Sequence, residues 1–581
     1  MKRLVNSSRV VGALAFMVIA ACAAPAPTLV AEPVAAVPAT QAPAATQAPA
    51  ATQAPAANEA PATEVATMVI DQVAALEGSA PIRGGTLRMA IASLTHLDPV
   101  RIAADTEPYV LFYEGLFEFD PEWRVTPLLA ESKEVSADGL VHTIRLREGV
   151  KFSDGSDFNA EVVKFNFDRK IAQASPYVKE IPFALDPVKV VDDYTVTITL
   201  TKPSFVMFNY FCGSSWMMYS KKFVESVTAD DLKNQAVGTG PYVITEYLPN
   251  DSLALEANPN YWQAGAPNFD RITIKIADAN TRLLMLEAGE VDFIKDLAPV
   301  ERARLKDNKN IILETAPSTR SFHIPPNHNN PPLDNPNVRR ALNLAMDKEA
   351  MNTAIFDGEY PIATGLSTKI VAGFRGNEPY KYDPEQARAL LEVAGLVDTN
   401  GDGFREWEGK EKEFLMFTVK GRRHGDIEIA ETFQAYMKDV GINIKIEIID
   451  AAQYFTVLNQ PVGQAPYYDF SNHSPSNFPG DISYPLVTMY SCSSWPGVAF
   501  NYAHYCNETV DKLVAEGNDA ATLEGRNEKY AEAQSIAWVD DAASIFLFDG
   551  VLAMGTTPKL KGVFSDGAHN VWVMKYAWYA Q

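Results

Sequence analysis

The chain has 581 residues, 47% of them hydrophobic, and its 50 Lys and Arg against 73 Asp and Glu give a formal charge of −23. That apolar content excludes disorder throughout, and the acidic balance excludes nucleic acid as a partner, because phosphate-backbone binding needs clustered cations. After an atypical N-terminal stretch, about 500 residues remain, enough for two or three lobes with cores of their own.

Lys2, Arg3 and Arg9 precede an apolar run from Val10 to Ala21. It is too short to span a bilayer but suits the hydrophobic part of a signal peptide, so residues 1–21 read as a secretion signal. The run ends Ile19-Ala20-Ala21-Cys22, which resembles the bacterial lipobox and marks Cys22 as the expected lipidation site. From Ala23 to Thr63 there are 18 Ala and 8 Pro, with Ala-Thr-Gln-Ala-Pro-Ala three times in tandem from Ala39 to Ala56. A proline every sixth residue defeats the helix that alanine favours, so residues 22–80 read as a lipid-anchored, semi-extended tether.

Further on, strands and helices alternate. Tyr194, Val196, Ile198 and Leu200 alternate with four threonines, and Ile272, Ile274 and Ile276 repeat the pattern, each a half-buried strand. Asn335-Pro336 opens a helix with Val338, Ala341, Leu342 and Ala345 on one face. Asp383-Pro384-Glu385-Gln386 reads as a cap and first turn, closed by Gly395. A third helix follows Asp426, stops at Gly441 and runs into the alternating strand Ile442, Ile444, Ile446, Ile448, an α/β arrangement.

Between these helices, Asp398-Thr399-Asn400-Gly401-Asp402-Gly403 matches the first half of an EF-hand loop, but Gly409 stands where the bidentate Glu belongs. Asp398, Asn400, Asp402 and Glu406 are therefore either ligands of a structural calcium or parts of an Asp/Gly-rich turn. Beyond that ion no cofactor is called for. No nucleophile elbow, zinc-protease helix or phosphate loop is present, and Gly238-Thr239-Gly240 reads as a tight turn. His323, His328 and His473 are read as core or surface residues.

Several short runs then occur in one order: Gly84-Gly85-Thr86-Leu87-Arg88, Leu97-Asp98-Pro99, Tyr113-Glu114-Gly115-Leu116, Pro127-Leu128-Leu129-Ala130 and Leu146 to Gly155, followed by Gly238 to Tyr242, Asn258 to Trp262, Gly289 to Asp292, Val338 to Leu342 and Tyr382-Asp383-Pro384. Together they resemble the family 5 extracellular solute-binding proteins, the oligopeptide, dipeptide and nickel receptors of ABC importers. The resemblance implies an α/β, two-lobed periplasmic-binding-protein fold of type II, cluster C, with an extra subdomain and a cleft between the lobes. It implies lobe I from residues 81–112, 236–318 and 549–581, the subdomain from 113–235 and lobe II from 319–548. Hinge crossings are expected near Ser318 to Asn327 and Phe546 to Met554.

In peptide-binding members an aspartate four residues before a proline, just after an aromatic, pairs with the peptide ammonium. Asp481, after Phe478 and before Pro485, takes that place, and Phe478 and Asn327 join it as expected ligand contacts. The implied function is a monomeric, non-enzymatic receptor, lipid-anchored at the cell surface or in the periplasm, delivering oligopeptides to an ABC permease. An oligosaccharide or other solute is the alternative, with Trp216, Trp262, Trp407 and Trp495 as sugar platforms, and a secreted hydrolase the remote one. In a secreted setting Cys492 is expected to pair with Cys506, leaving Cys212 as a buried thiol.

Overall fold

The computed structural model describes residues 82–580, apart from 95, 99–107, 121–122, 173–177, 179–180, 421, 460–467, 497–498 and 567–570. The signal, Cys22 and the tether lie outside the described residues. Among the described residues no helix is long and apolar enough to cross a membrane.

One lobe is built on a seven-stranded sheet. Its order is 312–324, 545–556, 293–295, 86–91, 271–276, 252–257, 242–248. Thr86–Ile91 runs parallel to Arg271–Ile276 and to Phe293–Lys295, and the other neighbours are antiparallel. The alternation read in the sequence is the register of this sheet, since Ile272 and Ile274 are fully buried with Leu87, Met89 and Leu255. A four-stranded antiparallel sheet follows the same logic, with Val196, Ile198 and Leu200 of Thr195–Leu200 in a separate core with Phe167 and Trp216.

The second lobe carries the three expected helices. Asn335 caps Pro336–Leu344 by accepting from Asn337 N–H, and Asp383 caps Pro384–Val393 by accepting from Gln386 N–H. Glu413–Val419, helix Asp426–Asp439 and Asn443–Ile449 form a parallel β-α-β unit. Its last strand lies at the sheet edge, so Ile444 is buried while Ile448 is half exposed.

The strands Ile312–Ile324 and Ile545–Thr556 join the lobes. Leu552 and Met554 belong to the core of the seven-stranded sheet, whereas Phe322, Ile324, Ile545, Leu547 and Phe548 belong to the core of the helical lobe. Their pairing register breaks between Pro317 and Ser321. Gly550 lies opposite the break, where a Cβ would meet the Arg320 carbonyl oxygen at 3.0 Å.

Gly238 and Gly240 serve a close approach rather than a tight turn. A Cβ at Gly238 would lie 2.0 Å from the Phe112 carbonyl oxygen, and one at Gly240 2.5 Å from the Phe112 carbonyl carbon.

Candidate functional site

The lobes and the hinge enclose a cavity of about 650 Å³, within the size range of small-molecule sites. From the sheet lobe come Arg282, Lys295 and Asp296; from the hinge Arg320, Phe322 and Gly550; from the helical lobe Arg422, Arg423, His424, His473 and Tyr484.

Each charged wall residue is held by local structure. Arg282 projects from helix Ala279–Glu287, capped by Asp278, and donates from Nη1 to the Lys295 carbonyl at 2.9 Å. Lys295 ends a strand and Asp296 turns the chain with φ +58°, bringing the ammonium to 3.7 Å from the carboxylate. Arg320 leaves the hinge strand and donates to the Ser474 carbonyl at 2.7 Å. Arg422 and Arg423 occupy the loop before helix Asp426–Asp439. The Arg422 guanidinium lies over the Tyr454 and Phe455 rings at 5.7 and 5.4 Å, and its buried Nη1 has no hydrogen-bond partner.

The result is five cationic side chains facing one carboxylate, in a chain whose overall charge is strongly negative. Being enclosed by protein pushes the Asp296 carboxyl up, but Lys295, Arg282, Arg423 and Arg320 outweigh that and hold it below its ordinary value. Charges of one sign in a walled cleft focus the field and raise the local concentration of counter-charged solute. His424 closes the far side, its Nε2 lying 3.1 Å from the Asp296 carbonyl oxygen across the lobes.

The floor is neutral. His323 and His473 pair through both backbone groups at 2.9 Å, with ring centroids 5.2 Å apart. Burial holds the His473 imidazole far below its ordinary pKa, so it stays uncharged, and neither ring nitrogen has a partner. Ser474 Oγ is likewise unpartnered. This neighbouring pair therefore lacks the base-to-hydroxyl contact that would activate a nucleophile; what the walls offer is charge and hydrogen bonding for a bound solute.

Of the expected contacts, Phe478 lines the cavity and packs on Gly213, where a Cβ would lie 2.5 Å from its ring. Asn327 does not line it; its amide donates to the Tyr468 carbonyl at 3.1 Å and its Oδ1 accepts from Asn329 N–H at 3.1 Å, fixing a turn. Asp481 is also outside the lining. It is 5% exposed, and its Oδ1 accepts from Ser483 N–H, Ser483 Oγ–H and the Arg526 guanidinium. Cys492 and Cys506 are joined in a disulfide, and Cys212 is free and half-buried, with the protein around its thiol raising its pKa well above the ordinary value. None of Trp216, Trp262, Trp407 and Trp495 lines the cavity; its aromatic lining is Phe and Tyr, Tyr484, Phe500 and Tyr502 among them.

The loop read as either a calcium site or an Asp/Gly-rich turn uses its side chains to bind its own backbone. Asp398 accepts from Gly401 and Gly403 N–H, Asp402 from Phe404 N–H, and Glu406 from Thr399 N–H and Oγ–H. The Asn400 side chain turns its amide nitrogen toward Asp402. These oxygens close the turn, and among the described residues no group of three His, Cys, Asp or Glu is placed to hold a metal.

Two lobes, a two-strand hinge and a charged cleft between them define a ligand-capturing receptor of the periplasmic-binding-protein fold. Residues 124–497 match the family model described as bacterial extracellular solute-binding proteins, family 5, and the chain belongs to that family, one of transport receptors rather than enzymes. The glutathione-binding protein GsiB of Shigella dysenteriae is 33% identical over 481 residues, covering 80% of this chain and 89% of that protein. Its Salmonella typhi counterpart is 33% identical over 461 residues, covering 77% and 85%. Among solved structures, NikA of Brucella suis in complex with Fe(III)-EDTA aligns with a TM-score of 0.74 at 23% identity, covering 85% of this chain and 100% of that one. The oligopeptide-binding protein AppA of Bacillus subtilis in complex with a nonapeptide aligns at 0.71 and 24%, covering 86% and 100%. These two likenesses speak for the fold.

Proposed function

We propose that this protein is the receptor of an ABC importer for a small, carboxylate-bearing solute of short-peptide size, captured in the interlobe cleft and handed to a membrane permease. The observation that carries the reading is the set of Arg282, Lys295, Arg320, Arg422 and Arg423 around a single carboxylate. Guanidinium groups match carboxylates in geometry and charge. The name of the GsiB relatives agrees with it, because glutathione is a tripeptide with two carboxylates and one ammonium. Only the closed form touches solute from both lobes, so binding shifts the open-to-closed equilibrium. Membrane anchoring through Cys22 is part of the same proposal and rests on the sequence Ile19 to Cys22.

Calorimetry with glutathione, trialanine and trilysine tests it. Glutathione is expected to bind, to weaken as salt screens the charges, and to lose at least about tenfold in Arg422→Gln or Arg320→Gln. Equal or tighter binding of trialanine or trilysine would overturn the reading.

A further inference from the structure

The hinge strands line a second cavity of about 410 Å³, which meets the first at Ser318, Gly550 and Val551. Asp549, Thr368, Lys369 and Glu359 are among its other walls. Asp549 is 6% exposed and its Oδ1 has no hydrogen-bond partner; Thr368 is 2% exposed and its Oγ1 has none either. Burial pushes the Asp549 carboxyl up to about 7, against the opposing pull of the Lys369 backbone N–H and ammonium.

The Lys369 ammonium pulls on this carboxyl from the exposed rim of the cavity, and Oδ1 still has no hydrogen-bond partner. Lys369 is solvent-exposed, Glu359 is already paired with Arg302, and Arg320 is engaged with the Ser474 carbonyl in the first cavity. A buried carboxylate with an open oxygen is costly, and an ammonium donor relieves that cost with a charge-assisted hydrogen bond. Asp481 differs in this respect, since Arg526 already meets its charge.

We propose that the second cavity is an ammonium site, in which the Asp549 carboxylate and the Thr368 hydroxyl accept hydrogen bonds from a protonated primary amine. This rests on the acidic-solute reading: the cationic cleft takes the carboxylates and the hinge cavity takes the amine. Two sources share that chemistry, the amine of the cleft-bound solute and a free alkylammonium ion. In both, a carboxyl that is partly protonated near neutrality gives up its proton as the cation arrives.

The test is calorimetry of the full chain at pH 7 in two buffers of different ionisation enthalpy, with glutathione, N-acetylglutathione and methylammonium as probes. If the amine belongs to the solute, glutathione binding releases a fraction of a proton, about half at most for a group titrating near 7. Asp549→Asn then abolishes the Asp549-dependent release and weakens glutathione by about tenfold or more. Acetylation weakens binding to wild type by a similar factor and adds little to Asp549→Asn, because both changes remove one interaction. Protons taken up or released elsewhere appear equally in both proteins and cancel. If the source is a free cation, methylammonium raises the melting temperature of wild type but not of Asp549→Asn, and glutathione binds both alike.

Unchanged glutathione affinity and proton release in Asp549→Asn, with no methylammonium shift in wild type, overturn the proposal while leaving the acidic-solute reading intact. Should glutathione fail to bind wild type, that reading falls and methylammonium alone decides the site: no shift overturns it. Thr368→Val, expected to weaken the same probe severalfold, covers the case in which Asp549→Asn does not fold; if its binding then matches wild type and wild type releases no proton, the proposal is overturned.

Discussion

Asp481 and Arg526, 45 positions apart, form an ion pair buried on both sides, and Ser483 completes it by donating twice to the same carboxylate oxygen. Removing one member of such a pair strands a charge where water cannot reach it. Asp481→Ala is therefore expected to cost about 3–5 kcal/mol of stability, read from urea unfolding. Replacing both partners by apolar residues is expected to cost less than the sum of the single changes. The same variant separates a structural role from an amine anchor: folded Asp481→Ala should keep glutathione affinity, whereas an anchor would lose roughly 30-fold or more.

The disulfide between Cys492 and Cys506 closes a loop across a separation of 14 residues. Constraining a loop of that length in the unfolded chain contributes roughly 3 kcal/mol. Cys492→Ser with Cys506→Ser is expected to lower the unfolding free energy by about that amount and to leave glutathione affinity unchanged, since neither residue lines the cleft. Loss of binding in a folded double variant would place the bridge in the site instead.

What could be read in the sequence was local. The threonine alternation of Thr195–Leu200 and the caps Asn335 and Asp383 depend on residues within a turn or two of one another, and the cysteine pair on a separation of 14. The cleft cations come from a helix at Arg282, a strand end at Lys295, the hinge at Arg320 and a loop at Arg422, and no sequence window holds them together. His473 meets His323 only through strand register across 150 positions. The Asp481 pattern was visible, but Arg526 approaches it from the helix Leu523–Ser535, which only tertiary packing reveals. The Asp398 loop is ambiguous for another reason: alternating Asp and Asn oxygens serve equally to hold backbone N–H groups and to hold calcium, and here they hold backbone N–H groups.

Gly238 offers a sharp steric test. A Cβ there would sit 2.0 Å from a backbone oxygen, and backbone cannot swing aside as a side-chain tip does. Gly238→Ala is expected to destabilise by about 1–3 kcal/mol, the usual range for overpacking, with Gly149→Ala as the comparison, where nothing lies within 4 Å of the added Cβ but φ is +76°. The Gly149 change therefore isolates backbone strain without a clash. Equal costs would mean that the Phe112 contact yields freely.

The last expectation concerns Asp426, at the start of helix Asp426–Asp439 behind Arg422 and Arg423. Burial pushes its carboxyl up to about 6, although both arginines pull it down, and its Oδ2 has no hydrogen-bond partner. The folded protein thus holds this proton more tightly than the unfolded chain, where an ordinary aspartate titrates near 3.8. Between those two values the unfolded state loses its proton first, so this group lowers stability as pH rises from about 4 to about 6, after which its effect is constant. Asp426→Asn removes the penalty while keeping the shape. The variant is expected to be more stable than wild type at pH 7.5, by on the order of 1–3 kcal/mol, and most of that advantage should be gone at pH 4, where the folded carboxyl is protonated and the unfolded one is near its midpoint. Anion binding beside Arg422 and Arg423 weakens the pull that lowers this pKa, so glutathione should also be accompanied by proton uptake near pH 6 in wild type and not in Asp426→Asn. Urea unfolding at the two pH values measures the first effect and calorimetry in paired buffers the second. An Asp426→Asn advantage that is the same at both pH values would show that this carboxyl does not titrate in that range.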